Sequence, residues 1–271
     1  MALRPRLVEA WPKLAWLARM AAGSREIEVL HGPMVETADD WIVEAVWAGS
    51  FADGDFDRSD LVYGTGVRRR GDKAVFVTSA TGVNSLWHVR LGGTQYVSNS
   101  LPALLAMTDL SLREDYKRYT IDMMSVEGGG IFGCAQSIPV VGGEVRLTYF
   151  RNLVYDGGEL RLEDKPIPAR KFECFADYRS FLSQTARALG DNCRDTRRRN
   201  AVQGLVGLSS GYDSPVCAVV AKEAGFTQAA TITNSRSIWR GSDSGLAVAE
   251  KLGMSCRQHR SHPRHYRNEI E

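Results

Sequence analysis

Several signatures that would assign this chain to a common class are missing. Its five cysteines, Cys134, Cys174, Cys193, Cys217 and Cys256, are odd in number and widely spaced. No CxxC pair or Cys/His ligand cluster accompanies them, which argues against a structural zinc or a disulfide framework and favours reduced thiols in a cytoplasm. Long apolar runs are also missing. Glu9 and Lys13 interrupt residues 1–22, so neither a signal-peptide core nor a membrane span is expected. Charge of one sign does not dominate: 34 Lys and Arg stand against 32 Asp and Glu, a net charge of +2. No basic face suggests a nucleic-acid partner. The densest basic stretch, Arg194 with Arg197-Arg198-Arg199, reads as a solvated connector. GxxxxGK[ST] and GxGxxG are both absent, which excludes a Walker A loop and gives no sign of a dinucleotide site.

What remains is a globular composition, 44% hydrophobic and 24% charged, over a length that suits two domains. Residues 1–22 place Leu7, Trp11, Leu14 and Leu17 near one face and predict an amphipathic helix. Short apolar runs then recur at 41–46, 73–78, 86–90 and 94–98, punctuated by Gly71-Asp72 and Gly92-Gly93, and predict strands. Helices are expected at 101–107 and 113–126, followed by strands at 144–150, 153–155 and 159–162. Residues 163–172 are polar, contain Pro166 and Pro168, and form the best linker candidate. The boundaries expected are therefore a first domain over 1–165 and a second over 174–271.

Beyond the linker, Tyr178, Phe181, Leu182, Thr185, Leu189 and Cys193 follow helical spacing, with Gly190 weakening the helix end. From residue 203 strands alternate with helices: strands at 203–208, 228–234 and 255–260, helices at 214–224 and 242–252. That order implies a parallel sheet, whose ligands bind beyond the carboxyl ends of its strands. The segment Ser209-Ser210-Gly211-Tyr212-Asp213-Ser214 sits at such an end and is followed by Pro215. Gly211 permits positive φ and a close ligand approach. The serines supply hydroxyls, and Pro215 suits the first turn of a helix whose free N–H groups attract anions. Asp213 beside phosphates calls for a bridging cation, which makes it the candidate magnesium ligand.

This loop resembles the SGGxDS signature of PP-loop ATP pyrophosphatases, with Ser210 in place of the first glycine. The surroundings resemble the asparagine-synthetase-like family. Thr231-Ile232-Thr233-Asn234 looks like its second strand, and Ser242-Asp243-Ser244 leading into 247–253 looks like its acidic, helix-starting segment. Gly82–Trp87 resembles the GxxPLY segment of the family's glutaminase-type domain, 97–104 resembles its ASExxAL segment, and 130–143 resembles the stretch before its linker. The resemblance covers about residues 60–260. It implies an α+β first domain, a four-layer αββα sandwich of the N-terminal-nucleophile type, followed by a truncated α/β PP-loop domain. It implies ATP and Mg²⁺ as cofactors, phosphate contacts from Ser209 to Ser214, and adenine contacts from the backbone of Ile232 and Thr233.

Two departures shape the expected function. Ala2 stands where a glutaminase needs its nucleophilic Cys, no Asn-Gly-Glu segment is present, and Ser79 replaces an expected Asp. The first domain is therefore expected to be a scaffold without glutaminase activity, as in the β-lactam synthetase and lasso-peptide cyclase branch. The family's second metal carboxylate and catalytic Lys lie on segments beyond residue 271, so a longer chain, a partner chain or a homo-oligomer is expected to complete the synthetase domain. The expected activity is ATP-dependent amide formation through adenylation of a small-molecule or peptide carboxylate. Two other readings stand beside it: a non-catalytic ATP-binding subunit, and a PP-loop RNA-modifying enzyme, which the composition argues against. Arg236 and Arg240 are phosphate candidates set against solvated loop residues. His259, His262 and His265 are metal candidates set against a polar tail.

Overall fold

The computed structural model describes residues 1–236 and 241–261. Arg240, His262 and His265 lie outside them. The chain is mixed α/β, and it divides into two compact units between Pro168 and Ala169.

The first unit stacks two sheets. The seven-stranded sheet has the order β1-β3-β2-β9-β8-β11-β10. Its strands are β1 (Ala2–Leu7), β2 (Trp16–Met20), β3 (Glu26–His31), β8 (Leu86–Leu91), β9 (Thr94–Ser98), β10 (Ser137–Val140) and β11 (Gly143–Thr148). The six-stranded sheet has the order β13-β12-β7-β6-β5-β4. It comprises β4 (Glu36–Ala38), β5 (Trp41–Trp47), β6 (Val62–Arg70), β7 (Lys73–Val77), β12 (Asn152–Tyr155) and β13 (Leu160–Glu163). One buried cluster joins them: Trp16, Ala18, Met20, Ile27, Val29, Leu86 and Val97 from the first, with Ile42, Val67, Phe76, Leu153 and Tyr155 from the second. Trp16 stacks on Phe76 at 6.3 Å between ring centroids.

The helix expected over residues 1–22 is not formed. Pro5 and Pro12 break any helix there, and β1 and β2 occupy the segment instead. Pro5 lies on β1, at one edge of the sheet, where a missing N–H is tolerated. The opposite edge, β10, carries Pro139. The predicted strands at 41–46, 73–78, 86–90 and 94–98 are present as β5, β7, β8 and β9.

Helices cover the outer face of the seven-stranded sheet. Leu101, Leu104 and Leu105 of α1 (Leu101–Thr108), with Tyr119 and Met123 of α2 (Tyr119–Met123) and Val126 of α3 (Ser125–Gly133), pack on Leu17, Trp87, Ile138 and Leu147. The single helix expected over 113–126 is replaced by the short α2 and α3, and the latter runs on through Gly128, Gly129 and Gly130. Gly130 (φ 64°) kinks it. The resemblance implies helices on the other outer face as well. Among the described residues of this unit no α-helix lies there. A loop and the 3-10 turn Phe56–Arg58 insert Phe51 and Phe56 against Trp41 and Trp47 instead. This segment holds Gly49, Gly54 and four aspartates between residues 49 and 60, a composition that disfavours an α-helix. Arg70 fixes it through Asp55 (2.6 Å) and Asp57 (2.7 Å).

A polar group interrupts the apolar interior. Glu44 alternates with Ile42 on the inward face of β5 and accepts bonds through Oε1 from the Thr65 hydroxyl (2.5 Å), the Thr65 N–H (2.8 Å) and the Asn99 amide (3.3 Å). Trp16 Nε1–H donates to the same Thr65 hydroxyl oxygen at 2.9 Å. Burial pushes the Glu44 carboxyl up to about 7, against the opposing pull of these bonds.

The second unit is a small α/β body. A three-stranded parallel sheet runs β14-β15-β16, from β14 (Leu205–Gly207), β15 (Gln228–Ile232) and β16 (Ser255–His259). Its helices are α4 (Phe175–Cys193), α5 (Asp213–Glu223) and α6 (Leu246–Leu252). Its core is Leu208, Ala218, Ala229, Ala249 and Met254. Gly190 does not end α4. The residue is buried beside the Ala224 carbonyl, 3.2 Å from where a Cβ would stand, so glycine admits the close approach. Arg198 donates to the Asn192 carbonyl at 2.7 Å and Arg197 pairs with Asp195, so these arginines hold the exit from α4.

Candidate functional site

The loop 208–214 lies between the carboxyl end of β14 and the first turn of α5. Two clamps give it its shape. In the first, Ser209 N–H donates to Ser214 Oγ at 2.9 Å, the two hydroxyl oxygens stand 3.0 Å apart, and the Ser214 hydroxyl reaches the Ser209 carbonyl at 3.3 Å. The Gly211 N–H is directed to Ser209 Oγ at 3.3 Å. The hydroxyls of Ser209 and Ser214, expected at phosphate, thus fold the loop on itself.

The second clamp comes from residues 242–245. The Ser210 N–H donates to the Asp243 carbonyl (3.1 Å) and to its Oδ1 (3.2 Å), and the Ser210 hydroxyl donates to the same Oδ1 at 2.9 Å. Ser209 and Ser244 form an antiparallel bridge, as do Arg236 and Ser242. The helix expected to begin at Ser242 therefore begins only at Leu246, because 242–244 is extended and bonded to the loop. Below it, the Thr231 hydroxyl donates to the Leu208 carbonyl at 2.8 Å and accepts from the Gly245 N–H at 2.8 Å. A Cβ at Gly245 would stand 2.5 Å from that of Leu208, so only glycine lets the two segments meet.

Asp213 opens α5 and is exposed, and Tyr212 before it is 94% exposed. The N–H groups of Tyr212, Asp213 and Ser214 find no acceptor among the described residues. They head a helix of 11 residues, whose dipole places positive potential at that end. Gly211 is open, with only Ser209 Oγ inside 4 Å of a Cβ position. Its φ is not in the left-handed region, so its role here is clearance and not a special turn.

Ile232 and Thr233 fall at the carboxyl end of β15, the same end of the sheet as the loop. Ile232 is exposed, and Thr233 is turned to β16, its N–H (2.8 Å) and hydroxyl (3.2 Å) both directed to the His259 carbonyl. The structure thus joins Ser209, Ser210, Gly211 and Ser214 in one constellation, with Tyr212 and Asp213 at its open side. It adds Asp243, Thr231 and Gly245, which sequence reasoning did not select. The acidic residue in a segment read as helix-starting was the available signal for Asp243. No signal in one sequence marks Thr231 as a buried clamp.

The fit to a nucleotide rests on those three free N–H groups and the open Gly211. The fit to magnesium rests on two carboxylates, Asp213 and Asp243, on the loop and its flank. No group of three metal-ligating side chains occurs among the described residues, His259 included. Magnesium held by one or two carboxylates and phosphate oxygens needs no such cage.

In the first unit Ala2 offers no nucleophile, and its N–H is bonded to the Arg25 carbonyl at 2.8 Å. Ser79 is buried and bonds the Gly64 N–H and Thr81. No helix among the described residues is long and apolar enough to cross a membrane. No protein-family model and no curated protein matches the chain.

Proposed function

We propose that residues 209–214 cradle the phosphates of ATP and that the chain serves ATP-dependent amide formation by carboxylate adenylation. One observation carries the reading: three uncommitted N–H groups at the head of α5, on a loop closed by Ser209–Ser214 and Ser210–Asp243 bonds, at the carboxyl end of a parallel strand. Asp213 and Asp243 would repel phosphate without a cation, and Asp213 would hold magnesium, which supplies charge neutralisation at the phosphates. The backbone of Ile232 and Thr233, at the same end of the sheet as the loop, would contact the adenine. The reaction class is activation of a carboxylate with release of pyrophosphate, then attack by an amine with release of AMP. The protein's share is positioning and charge stabilisation. With Ala2 in place of a nucleophilic Cys, the amine belongs to the substrate. The αββ arrangement of the first unit supports a scaffold related to N-terminal-nucleophile domains, and the β-strand–loop–helix order of the second supports a PP-loop fold.

A second reading is an ATP-binding subunit completed by another chain. The exposure of Leu205, Val216, Val219 and Ile232 on so small an α/β body favours it. Calorimetry with Mg²⁺ and ATP tests the nucleotide site: saturable binding that Asp213→Ala weakens on the order of tenfold or more is expected. Absence of binding would remove both readings. Pyrophosphate release by the chain alone supports the enzyme; binding without release supports the subunit.

A further inference from the structure

A cavity of about 400 Å³ opens in the first unit, lined by His88, Val89, Arg90, Gln95, Glu144, Arg146, Glu159 and Leu160. It lies where the sandwich changes character. Over most of the contact the inward positions of the seven-stranded sheet are apolar: Trp16, Ala18, Met20, Leu86 and Val97. On β8, β9 and β11 the same alternation then brings polar residues inward. His88 and Arg90 follow Leu86 at steps of two, Gln95 precedes Val97, and Arg146 stands directly opposite His88. The four charged side chains are more than half exposed and stand at the open rim of the sandwich, with Gln95 the buried polar group among the lining residues. Here the six-stranded sheet contributes Leu160 of β13 and Glu159 before it, and the space between remains open.

The lining groups have bonding capacity to spare. Gln95 is only 8% exposed, yet its side-chain amide has no hydrogen-bond partner among the described residues. Its oxygen and nitrogen keep access to the open cleft, where a bound polar group can meet them. Arg90 approaches Glu159 only to 3.7 Å and Arg146 approaches Glu144 only to 3.8 Å, and neither guanidinium makes a hydrogen bond there. The His88 ring meets Thr148 Oγ1 through Nε2 at 3.2 Å, leaving Nδ1 without a partner among the described residues. Burial, with Arg146 nearby, depresses its pKa to about 4, so the ring is neutral near pH 7 and offers one donor or one acceptor.

We propose that this cleft binds a small amino-carboxylate: the carboxylate on Arg90 and Arg146, the amide of Gln95 and the ring of His88 on its polar body, and the ammonium on Glu144 or Glu159. Planar guanidinium groups match a carboxylate in geometry and charge, and the flanking glutamates select against a second anionic group. The volume suits a small molecule and no larger partner. All of its lining residues belong to the first unit.

The test is an NMR titration of the full chain with 4-aminobutyrate, without ATP, reading the His88 ring and the Gln95 side-chain amide. Saturable shifts of both at up to about 10 mM are expected, a weak fit for an unoptimised probe. Butylamine should give none. Arg146→Gln and Arg90→Gln, both at half-exposed positions that keep the fold, should each weaken binding by about tenfold. Linear, unsaturated shifts, or saturation that neither substitution alters, would overturn the proposal and leave a solvated cleft.

Discussion

The two units solve the problem of a core in opposite ways. The first fills its interior with large rings: Trp16, Trp47, Tyr155, Phe56 and Phe76 are all essentially inaccessible. The second closes around Leu208, Ala218, Ala229, Ala249 and Met254, three of them alanines. Large side chains hold layers apart and release much free energy on burial; alanines let backbones approach but release little. The difference shows in what each body does with polar groups. The first holds a carboxyl, Glu44, on the inward face of its sandwich, bonded to Thr65 and Asn99. The second uses hydroxyls, Thr231 above all, as structural ties where apolar volume is short.

The comparison predicts a ranking of effects. Trp16→Ala should cost about 3–5 kcal/mol, since it removes a buried ring stacked on Phe76 and strips Thr65 of its donor. Chemical denaturation measures this, and a cost under about 1 kcal/mol would mean that the first core is loosely filled.

Next is the pH response of Glu44. Its folded pKa of about 7 lies above the ordinary value of 4.5, so the folded state holds the proton more tightly than the unfolded state. The resulting contribution is full below about pH 4.5 and is lost as pH rises to about 7, a change of about 3 kcal/mol. Glu44→Gln keeps an acceptor for Thr65 and should flatten that part of the stability profile. An unchanged slope from pH 4.5 to 7 would show that the carboxyl is solvated.

Thr231→Val keeps the shape of the side chain and deletes both its bonds, leaving the Leu208 carbonyl and the Gly245 N–H without it. It should cost about 1–3 kcal/mol and raise hydrogen exchange at Gly245. Unaltered exchange there would deny the clamp.

The smallest effect belongs to Asp243→Asn. The acceptor oxygen toward Ser210 is retained, so stability should move by less than about 0.5 kcal/mol. If the nucleotide reading holds, the magnesium dependence of ATP binding shifts while the melting curve does not. A large loss of stability would make Asp243 a purely structural residue.

Legibility in the sequence followed the range of the interactions involved. Strands β5, β7, β8 and β9 were readable because alternation and flanking glycines are local. The loop at 209–214 was readable for the same reason, a strand end, small residues and a proline within eight positions. Residues 1–22 misled because Leu7, Trp11, Leu14 and Leu17 mimic a helical stripe while Pro5 and Pro12 forbid the helix; the prolines were the stronger signal. Asp243 was missed because its contact spans 33 residues of sequence. The same holds for Thr231 and Gly245, whose roles exist only once β15 has paired with β14. The outer cover of the six-stranded sheet followed its own glycines and aspartates and not the resemblance.

The prolines of the large sheet have a further consequence. Pro5 and Pro139 stand on its two border strands, and a border strand that lacks a donor is a poor template for another chain. The three-stranded sheet has no such guard: β14 and β16 flank β15 and contain no proline. Strand-by-strand self-association at high concentration should therefore start from the second unit. Solubility engineering of this chain should begin there, with a proline or lysine on β16.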